Sequence, residues 1–81
     1  MYTVYVLQDS LGKLYKGMTN DLSRRLAEHT AGGTKTTRFM SGLRVVYSEE
    51  LSDRLSARKR EKYLKSAAGR KFLKNVLNMG A

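Results

Sequence analysis

The sequence predicts an α+β domain in which helices flank one three-stranded sheet, either antiparallel or mixed. Stretches rich in β-branched and aromatic residues indicate strands, and stretches with capping residues and apolar stripes indicate helices. Their order is strand–strand–helix–strand–helix–helix. A sheet covered by helices buries the apolar faces of both, and 81 residues suffice for one such domain, residues 1–81.

The first two predicted strands form a β-hairpin. Residues 2–7 read YTVYVL and residues 13–18 read KLYKGM, with the turn residues of QDSLG between them. The pairing of the strands depends on the length of the loop. Three loop residues would place Tyr5 opposite Tyr15, whereas four would place Tyr5 opposite Lys16, and the sequence leaves both registers open.

The first predicted helix follows the sequence TND. Thr19 or Asn20 is expected to be its N-cap, because such side-chain oxygens accept hydrogen bonds from the free N–H groups of the first turn. An apolar stripe at helical spacing follows. The helix is expected to end near AGG, where Gly32 or Gly33 can adopt the left-handed conformation that closes many helices.

The third predicted strand reads LRVVYSEE. Alternation along this strand would place Leu43, Val45 and Tyr47 on one face. The second helix is expected to start directly afterwards, with Ser52 or Asp53 as its N-cap. The chain therefore returns from the sheet to a helix within a few residues.

The second predicted helix reads LSDRLSARKREKYLKS, and a short last helix reads RKFLKNVL. The second helix has four expected apolar anchors: Leu51, Leu55 and the neighbouring pair Tyr63 and Leu64. Gly69 is expected to mark the break between the two helices, because glycine is unfavourable inside a helix.

The charge and composition of the chain indicate its expected partner and exclude some kinds of site. Lys and Arg outnumber Asp and Glu 16 to 7, giving a net charge of +9 that attracts polyanions. Nucleic acid, DNA or RNA, is therefore the first partner to consider. The absence of cysteine rules out disulfides and thiolate metal sites. Without a signal-peptide pattern or a long apolar run, we expect no membrane partner and a cytoplasmic protein, nucleoid-associated if bacterial.

An ordered set of motifs extends along nearly the whole chain. TVYVL is followed by YKG, then by Arg25, His29 and a distant REKYLK, and the most specific parts are LYKGMTNDLSRRLAEH, VVYSEE and ARKREKYLKSAAGRKFLKN. This set resembles the GIY-YIG nuclease family, and most closely its small stand-alone bacterial members. The sequence departs from the family pattern at Thr3 and Val4 and at Lys16, which stands where the family has isoleucine.

The resemblance implies a metal-dependent endonuclease that hydrolyses phosphodiester bonds in DNA, structure-selectively or nonspecifically. It implies that Tyr5 and Tyr15 face the scissile phosphate, together with Arg25 and His29 from the first helix. It also implies that Glu61, on the second helix, holds one divalent ion, Mg²⁺ or Mn²⁺. We expect Tyr5 to act as the base or to orient the water, and Tyr15 to bind the phosphate.

The residue types suit this chemistry. Arg25 and His29 are four residues apart and so project from one face of a helix, where a guanidinium can bind a phosphate with two parallel hydrogen bonds. One carboxylate is enough for Mg²⁺, which keeps several waters. A tyrosine, whose ordinary pKa is about 10, must be strongly acidified to act as a base at neutral pH. Plainer interpretations are a Glu61–Lys65 surface pair, a solvated basic helix and strand tyrosines that only pack.

Further residues are predicted to contact nucleic acid. Gly17 has no Cβ and lets a phosphate or a neighbouring strand approach closely, although it also suits a bulge or a bend. The other residues supply positive charge or an amide near the predicted site. The predicted nucleic-acid contacts are Lys16, Gly17, Arg24, Lys35, Arg38 and Asn75.

Two other functions fit the same sequence. A non-catalytic basic nucleic-acid-binding module would keep the fold and charge without cleaving its ligand. A small partner protein of a larger complex would use the last helix as an interface. We expect a monomer or a weak homodimer. Metal-dependent cleavage that is lost in Glu61→Ala or Arg25→Ala would separate the nuclease from both alternatives.

Overall fold

The computed structural model describes residues 1–33 and 40–77 and confirms the predicted α+β order. Three strands form one antiparallel sheet in the order β2-β1-β3, so the mixed alternative is wrong. The central position of β1 explains its burial, and β2 is left as an edge strand. The elements are β1 (Tyr2–Gln8), β2 (Leu14–Thr19), α1 (Leu22–Thr30), β3 (Arg44–Leu51), α2 (Arg54–Lys65) and α3 (Ala67–Val76).

The hairpin has neither of the two predicted registers. Tyr5 pairs with Gly17, because the loop is one residue longer than the longer alternative. The buried Asp9 carboxylate closes this loop by accepting hydrogen bonds from the backbone N–H groups of Leu11, at 3.0 Å, and Lys13, at 2.8 Å. A side-chain oxygen of aspartate commonly caps turns in this way. The loop length therefore depends on a side-chain contact that the turn residues alone do not reveal.

The pairing of β1 with β3 is interrupted by a bulge. Val6 pairs with Tyr47 but Leu7 pairs with Val45, so Val46 is the extra residue. A bulge changes the alternation of side chains beyond it. The predicted common face for Val45 and Tyr47 is therefore wrong, since their partners Leu7 and Val6 point to opposite faces of β1.

The two faces of the sheet have different coverings. Val4 and Val6 lie on the face that α2 and α3 cover, called here the helix-covered face, and they are fully buried there. Tyr5 and Leu7, equally buried, point to the other face, called here the tyrosine face. The core residues that join the valines on the helix-covered face are Ala57, Leu64 and Leu73.

The helix boundaries depend on short polar side chains. Asp21, rather than Thr19 or Asn20, is the N-cap of α1 and accepts a hydrogen bond from the N–H of Arg24 at 3.1 Å. Thr19 instead holds the approach to the helix through hydrogen bonds with the backbone of Asp21. The predicted helix end is confirmed by Gly32, which has a φ of +77°. The N-cap of α2 is Asp53, one of the two predicted residues.

The break between α2 and α3 lies at Ser66, not at Gly69. Ser66 ends α2 and is also the N-cap of α3, accepting a hydrogen bond from the N–H of Gly69 at 3.2 Å. Gly69 lies within α3. Its lack of a Cβ matters there, because a Cβ would overlap the carbonyl oxygen of Tyr63. Leu64 is the fully buried anchor of α2, whereas the predicted anchor Leu55 is 66% exposed.

Candidate active site

A buried cluster of aromatic residues connects the hairpin to α1. The Tyr5 hydroxyl lies 2.9 Å from Nε2 of His29, within hydrogen-bonding distance. The ring centroids of Tyr15 and His29 are 4.9 Å apart, and those of Tyr5 and Tyr15 are 6.3 Å apart. Three of the sequence-predicted site residues are thus in mutual contact, and they are called here the tyrosine–histidine cluster.

Local structure explains how these side chains meet. Tyr15 lies two residues before Gly17 on β2, so both residues point to the tyrosine face together with Tyr5. The last turn of α1 brings in His29, whose side chain is 1% exposed. The predicted proximity of Tyr5 and Tyr15 therefore exists, but as a diagonal pair and not as directly opposed residues.

Gly17 provides space for the cluster. A Cβ at this position would lie 2.6 Å from the Tyr5 hydroxyl oxygen and 3.1 Å from Cε1 of Tyr15. Gly17 is buried and has no positive φ, so neither a left-handed conformation nor a bulge explains it. The groups that approach Gly17 closely are therefore the side chains of Tyr5 and Tyr15.

Arg25 is the charged residue beside the cluster. It donates a hydrogen bond from Nη1 to Oε1 of Glu28 at 3.0 Å, and its guanidinium also interacts with the hydroxyls of Tyr5 and Tyr15. The hydrogen bond to Glu28, followed by that to Tyr5, raises the pKa of Arg25, so the guanidinium stays charged. The positive charge of Arg25, held on one side by Glu28, therefore acts on the hydroxyls of Tyr5 and Tyr15.

Burial keeps both Tyr5 and His29 in their electrically neutral forms at pH 7. Burial raises the pKa of Tyr5 above its ordinary value, and the hydrogen bond from Arg25 opposes this only in part. Burial also lowers the pKa of His29, and the nearby charge of Arg25 lowers it further. The tautomer of His29 decides which group donates the hydrogen bond between them.

An open cleft begins beside Arg25. The N-terminal parts of α1 and α2 line it together with Tyr2 and the end of β2. Most of its charge is positive, and Glu28 is its one lining carboxylate. This arginine cleft is defined by the lining residues Arg24, Arg25, Arg54 and Arg58.

Two residues of this cleft, Glu28 and Arg54, were not predicted from the sequence. Glu28 holds Arg25 in place, and the spacing of three residues on a helix was a signal that could have identified it. Arg54 gave no such signal, because only the packing of α2 against the sheet brings it close to α1. The predicted contact residue Arg24 does line the cleft, where it donates a hydrogen bond to Oδ1 of Asn20 at 3.2 Å.

Glu61 lies on α2, one helical turn after Ala57 and on the stripe that packs against the sheet. Its side chain is only 14% exposed and pairs with Lys65 at 3.3 Å and, more loosely, with Arg58 at 4.0 Å. The predicted surface pair with Lys65 is therefore present. Through Arg58, the same carboxylate reaches the edge of the arginine cleft.

The donor set for a metal ion is small. Within residues 1–33 and 40–77, no three acidic or histidine side chains group together in a way that could hold a metal. Glu61 alone still fits a hydrated Mg²⁺ or Mn²⁺, because Mg²⁺ is commonly bound through one or two carboxylates, with waters and substrate phosphate completing its coordination. Lys65, whose side chain is 55% exposed, is the partner that an incoming ion would displace from this carboxylate.

The remaining predicted contact residues lie apart from the cluster or outside the described residues. Lys16 points to the helix-covered face, opposite Val6, so it does not stabilise a Tyr5 phenolate. Asn75 is exposed near the end of α3. Lys35 and Arg38 are outside the described part of the chain.

The order of the elements, together with the tyrosine–histidine cluster and the neighbouring Arg25, indicates the class of this protein. The sequence profile of the GIY-YIG catalytic domain matches residues 1–75, and the chain belongs to the GIY-YIG family. Family membership identifies a domain of the nuclease superfamily, whose substrate is nucleic acid. Among residues 1–33 and 40–77, no helix combines the length and apolar character needed to cross a membrane.

Particular relatives carry the name UPF0213. The chain is 37% identical over 79 residues to the UPF0213 protein YE0453 of Yersinia enterocolitica, a match covering 96% of this chain and 81% of the relative. It has the same identity to a UPF0213 protein of Yersinia pestis, covering 83% of that protein. The solution NMR structure of the UPF0213 protein BH0048 from Bacillus halodurans superposes with a TM-score of 0.58 at 30% identity, covering 94% of this chain and 85% of the other.

Proposed function

We propose that this protein is a metal-dependent endonuclease that hydrolyses phosphodiester bonds in DNA, using Tyr5, Tyr15, Arg25, His29 and Glu61. The observation that carries the proposal is the buried hydrogen bond between Tyr5 and His29, with a charged guanidinium next to it at the edge of an arginine-lined cleft. A purely structural tyrosine–histidine pair would not require a cation at the same hydroxyl.

Arg25 is suited to stabilise the transition state. Attack on a phosphodiester adds negative charge to the phosphorus centre, and a preorganised cation stabilises that charge more strongly in the transition state than in the ground state. Glu28 fixes the guanidinium from one side and leaves other N–H groups for a phosphate. Arg54 and Arg58, across the cleft, would bind flanking phosphates of the same strand.

The tyrosine–histidine cluster is suited to remove a proton from water. In the tautomer that leaves Nε2 unprotonated, the Tyr5 hydroxyl donates its hydrogen to His29. As the water attacks phosphorus, its proton moves to the Tyr5 oxygen while the phenolic proton moves to Nε2, which leaves an imidazolium. This route needs no free phenolate, so the raised pKa of Tyr5 does not oppose it. The lowered pKa of His29 does oppose the imidazolium, and the negative charge of a phosphate bound at Arg25 would offset that effect. Tyr15, whose ring contacts His29, would bind a phosphate oxygen through its hydroxyl.

Glu61 would hold the divalent ion, which supplies charge neutralisation and an acidified water when bound. For the protein, this requires the carboxylate to exchange Lys65 for the ion, and the exposed lysine permits the exchange. The position of Arg58 between Glu61 and the cleft supports a substrate path that passes both groups. We place this activity in the cytoplasm, near the nucleoid in a bacterial cell, and expect a monomer or a weak homodimer.

A direct test is cleavage of labelled duplex, flap, branched and single-stranded DNA, and of matched RNA, with Mg²⁺, Mn²⁺ or EDTA. We expect metal-dependent cleavage of DNA that falls about 100-fold or more in Glu61→Gln, the loss expected when a metal-supported transition state loses several kcal/mol. The matched control is Glu50→Gln, which makes the same change on an exposed part of β3 and should cleave like the wild type. Equal cleavage by all three proteins would indicate a contaminating nuclease.

Arg25→Lys tests the arginine separately. A lysine keeps the charge but cannot offer two parallel N–H groups, so we expect a rate loss of at least about tenfold with folding unchanged. Unchanged cleavage would remove Arg25 from the proposed mechanism.

The second candidate is a non-catalytic nucleic-acid-binding module. The pairing of Glu61 with Lys65 and Arg58 within α2 favours it, because a carboxylate with local partners does not need a metal. Salt-sensitive binding of the whole substrate panel, without cleavage in any metal, would establish this candidate and exclude the nuclease.

A further inference from the structure

Three basic residues line a second groove, on the helix-covered face of the sheet. Lys16 of β2 and, four residues apart on α3, Arg70 and Lys74 line it together with Leu14. Residues four apart on a helix project from the same side, so both α3 cations point toward the edge strand. We call this site the basic groove and define it by these four residues.

Among residues 1–33 and 40–77, no acidic group pairs with the cations of the basic groove. Within the described residues, the ion pairs involve Arg25, Arg58, Arg60 and Lys65, and none involves Lys16, Arg70 or Lys74. Converging like charges disfavour one another unless an anion compensates them. Lys65, whose charge also acts on Lys16, has Glu61 as its partner.

Lys16 is the central cation of this groove. Its side chain is partly buried beside Val6, because β2 pairs with β1 at this position. Burial lowers the pKa of Lys16, and the charges of Arg70 and Lys65 lower it further. An anion in the groove would raise the pKa of Lys16 again, because it would supply a counter-charge to the partly buried ammonium group.

We propose that the basic groove binds a phosphate of the DNA backbone outside the reaction centre, an inference that rests on the proposed function because it takes the nuclease's substrate as the ligand. A phosphodiester carries one negative charge on two exposed oxygens, which Arg70 can bind in parallel while a lysine approaches as a point charge. Leu14 offers an apolar surface to the adjoining sugar. The groove lies beside the edge strand, so a strand bound at Tyr15 can reach Lys16 around that edge.

The test compares two variants that lose the same charge. The groove variant carries Lys16→Gln, Arg70→Gln and Lys74→Gln, and the control variant carries Lys59→Gln, Lys62→Gln and Lys71→Gln at exposed helix positions. Affinity for one fluorescent duplex is measured by anisotropy in EDTA at several salt concentrations. We expect the groove variant to lose at least fivefold in affinity and about one unit in the slope of log K against log [salt], the loss of one phosphate contact. The control variant should lose less than twofold.

Further measurements keep the outcomes distinct. Circular dichroism checks folding, and Lys16→Arg, which keeps the charge, should retain wild-type affinity. Equal losses in the groove and control variants would overturn the inference, because the general field would then explain binding. If inorganic phosphate shifts the NMR signals of Arg70 while the groove variant binds DNA normally, the groove takes small phosphoanions and the assignment to DNA is wrong.

The inference and the proposed function can fail separately. A difference between the two variants in EDTA supports the groove even if no metal ever produces cleavage. Conversely, normal cleavage with no such difference in binding retains the nuclease and refutes the groove.

Discussion

Gly17→Ala tests the packing of the tyrosine–histidine cluster. The new methyl carbon would lie 2.6 Å from the Tyr5 hydroxyl oxygen and 2.8 Å from Cζ of the same ring, well inside van der Waals contact. Tyr5 cannot withdraw easily, because it is 1% exposed and its hydroxyl is held by His29. Overpacking costs about 1–3 kcal/mol, and a weakened buried hydrogen bond adds about 0.5–1.5 kcal/mol.

Together these costs are about 1.5–4.5 kcal/mol. Alanine offsets about 0.4–1 kcal/mol of this by restricting the unfolded chain, so the expected net destabilisation is about 0.5–4 kcal/mol. Urea unfolding followed by circular dichroism measures it. Adding Tyr5→Phe removes the oxygen at 2.6 Å but keeps the ring carbon Cζ at 2.8 Å, so the cost of Gly17→Ala should fall only in part in that background. A cost below about 0.5 kcal/mol, or an equal cost in both backgrounds, would refute the packing argument.

Two further predictions concern α3 and the histidine. Gly69→Ala should destabilise the fold more than Ala68→Gly, because its methyl group meets the rigid carbonyl of Tyr63 and not a movable side chain; urea unfolding of both measures the difference. The imidazole of His29 should titrate below its ordinary pKa in NMR, and higher in Arg25→Gln than in the wild type. Because the unfolded chain binds that proton more readily, stability should fall as the pH decreases through about 6.5, and a pKa at or above this value would contradict the argument.

The element order was predictable because propensity and tertiary structure agree for most of this chain. The strands are β-branched and aromatic, and the first two helices are preceded by capping residues within two positions of the expected ones. The errors occur where one side chain decides the geometry. Asp9 sets the hairpin loop, Val46 adds a bulge, and Ser66 rather than Gly69 separates the last two helices. Such contacts depend on the folded backbone and leave no period in the sequence.

The candidate site was predictable as far as its residues share an element or a motif. Arg25 and His29 lie on one helix, and the tyrosines lie on one hairpin, so local spacing brings them together. The arginine cleft was missed because Arg54 reaches it only through the packing of α2. The role of Glu61 was predicted from the resemblance and stays a prediction, whereas its pairing with Lys65, expected from helical spacing, is present.

The edge strand β2 connects the two proposed phosphate sites. Neighbouring strand residues point to opposite faces, so Tyr15 joins the tyrosine–histidine cluster while Lys16 joins the basic groove. Lys16 replaces the isoleucine of the family pattern on a face that is otherwise apolar around Val6, and a charge there costs stability unless it has a ligand. The proposed cleavage site and the proposed second phosphate contact therefore lie on opposite sides of the same strand.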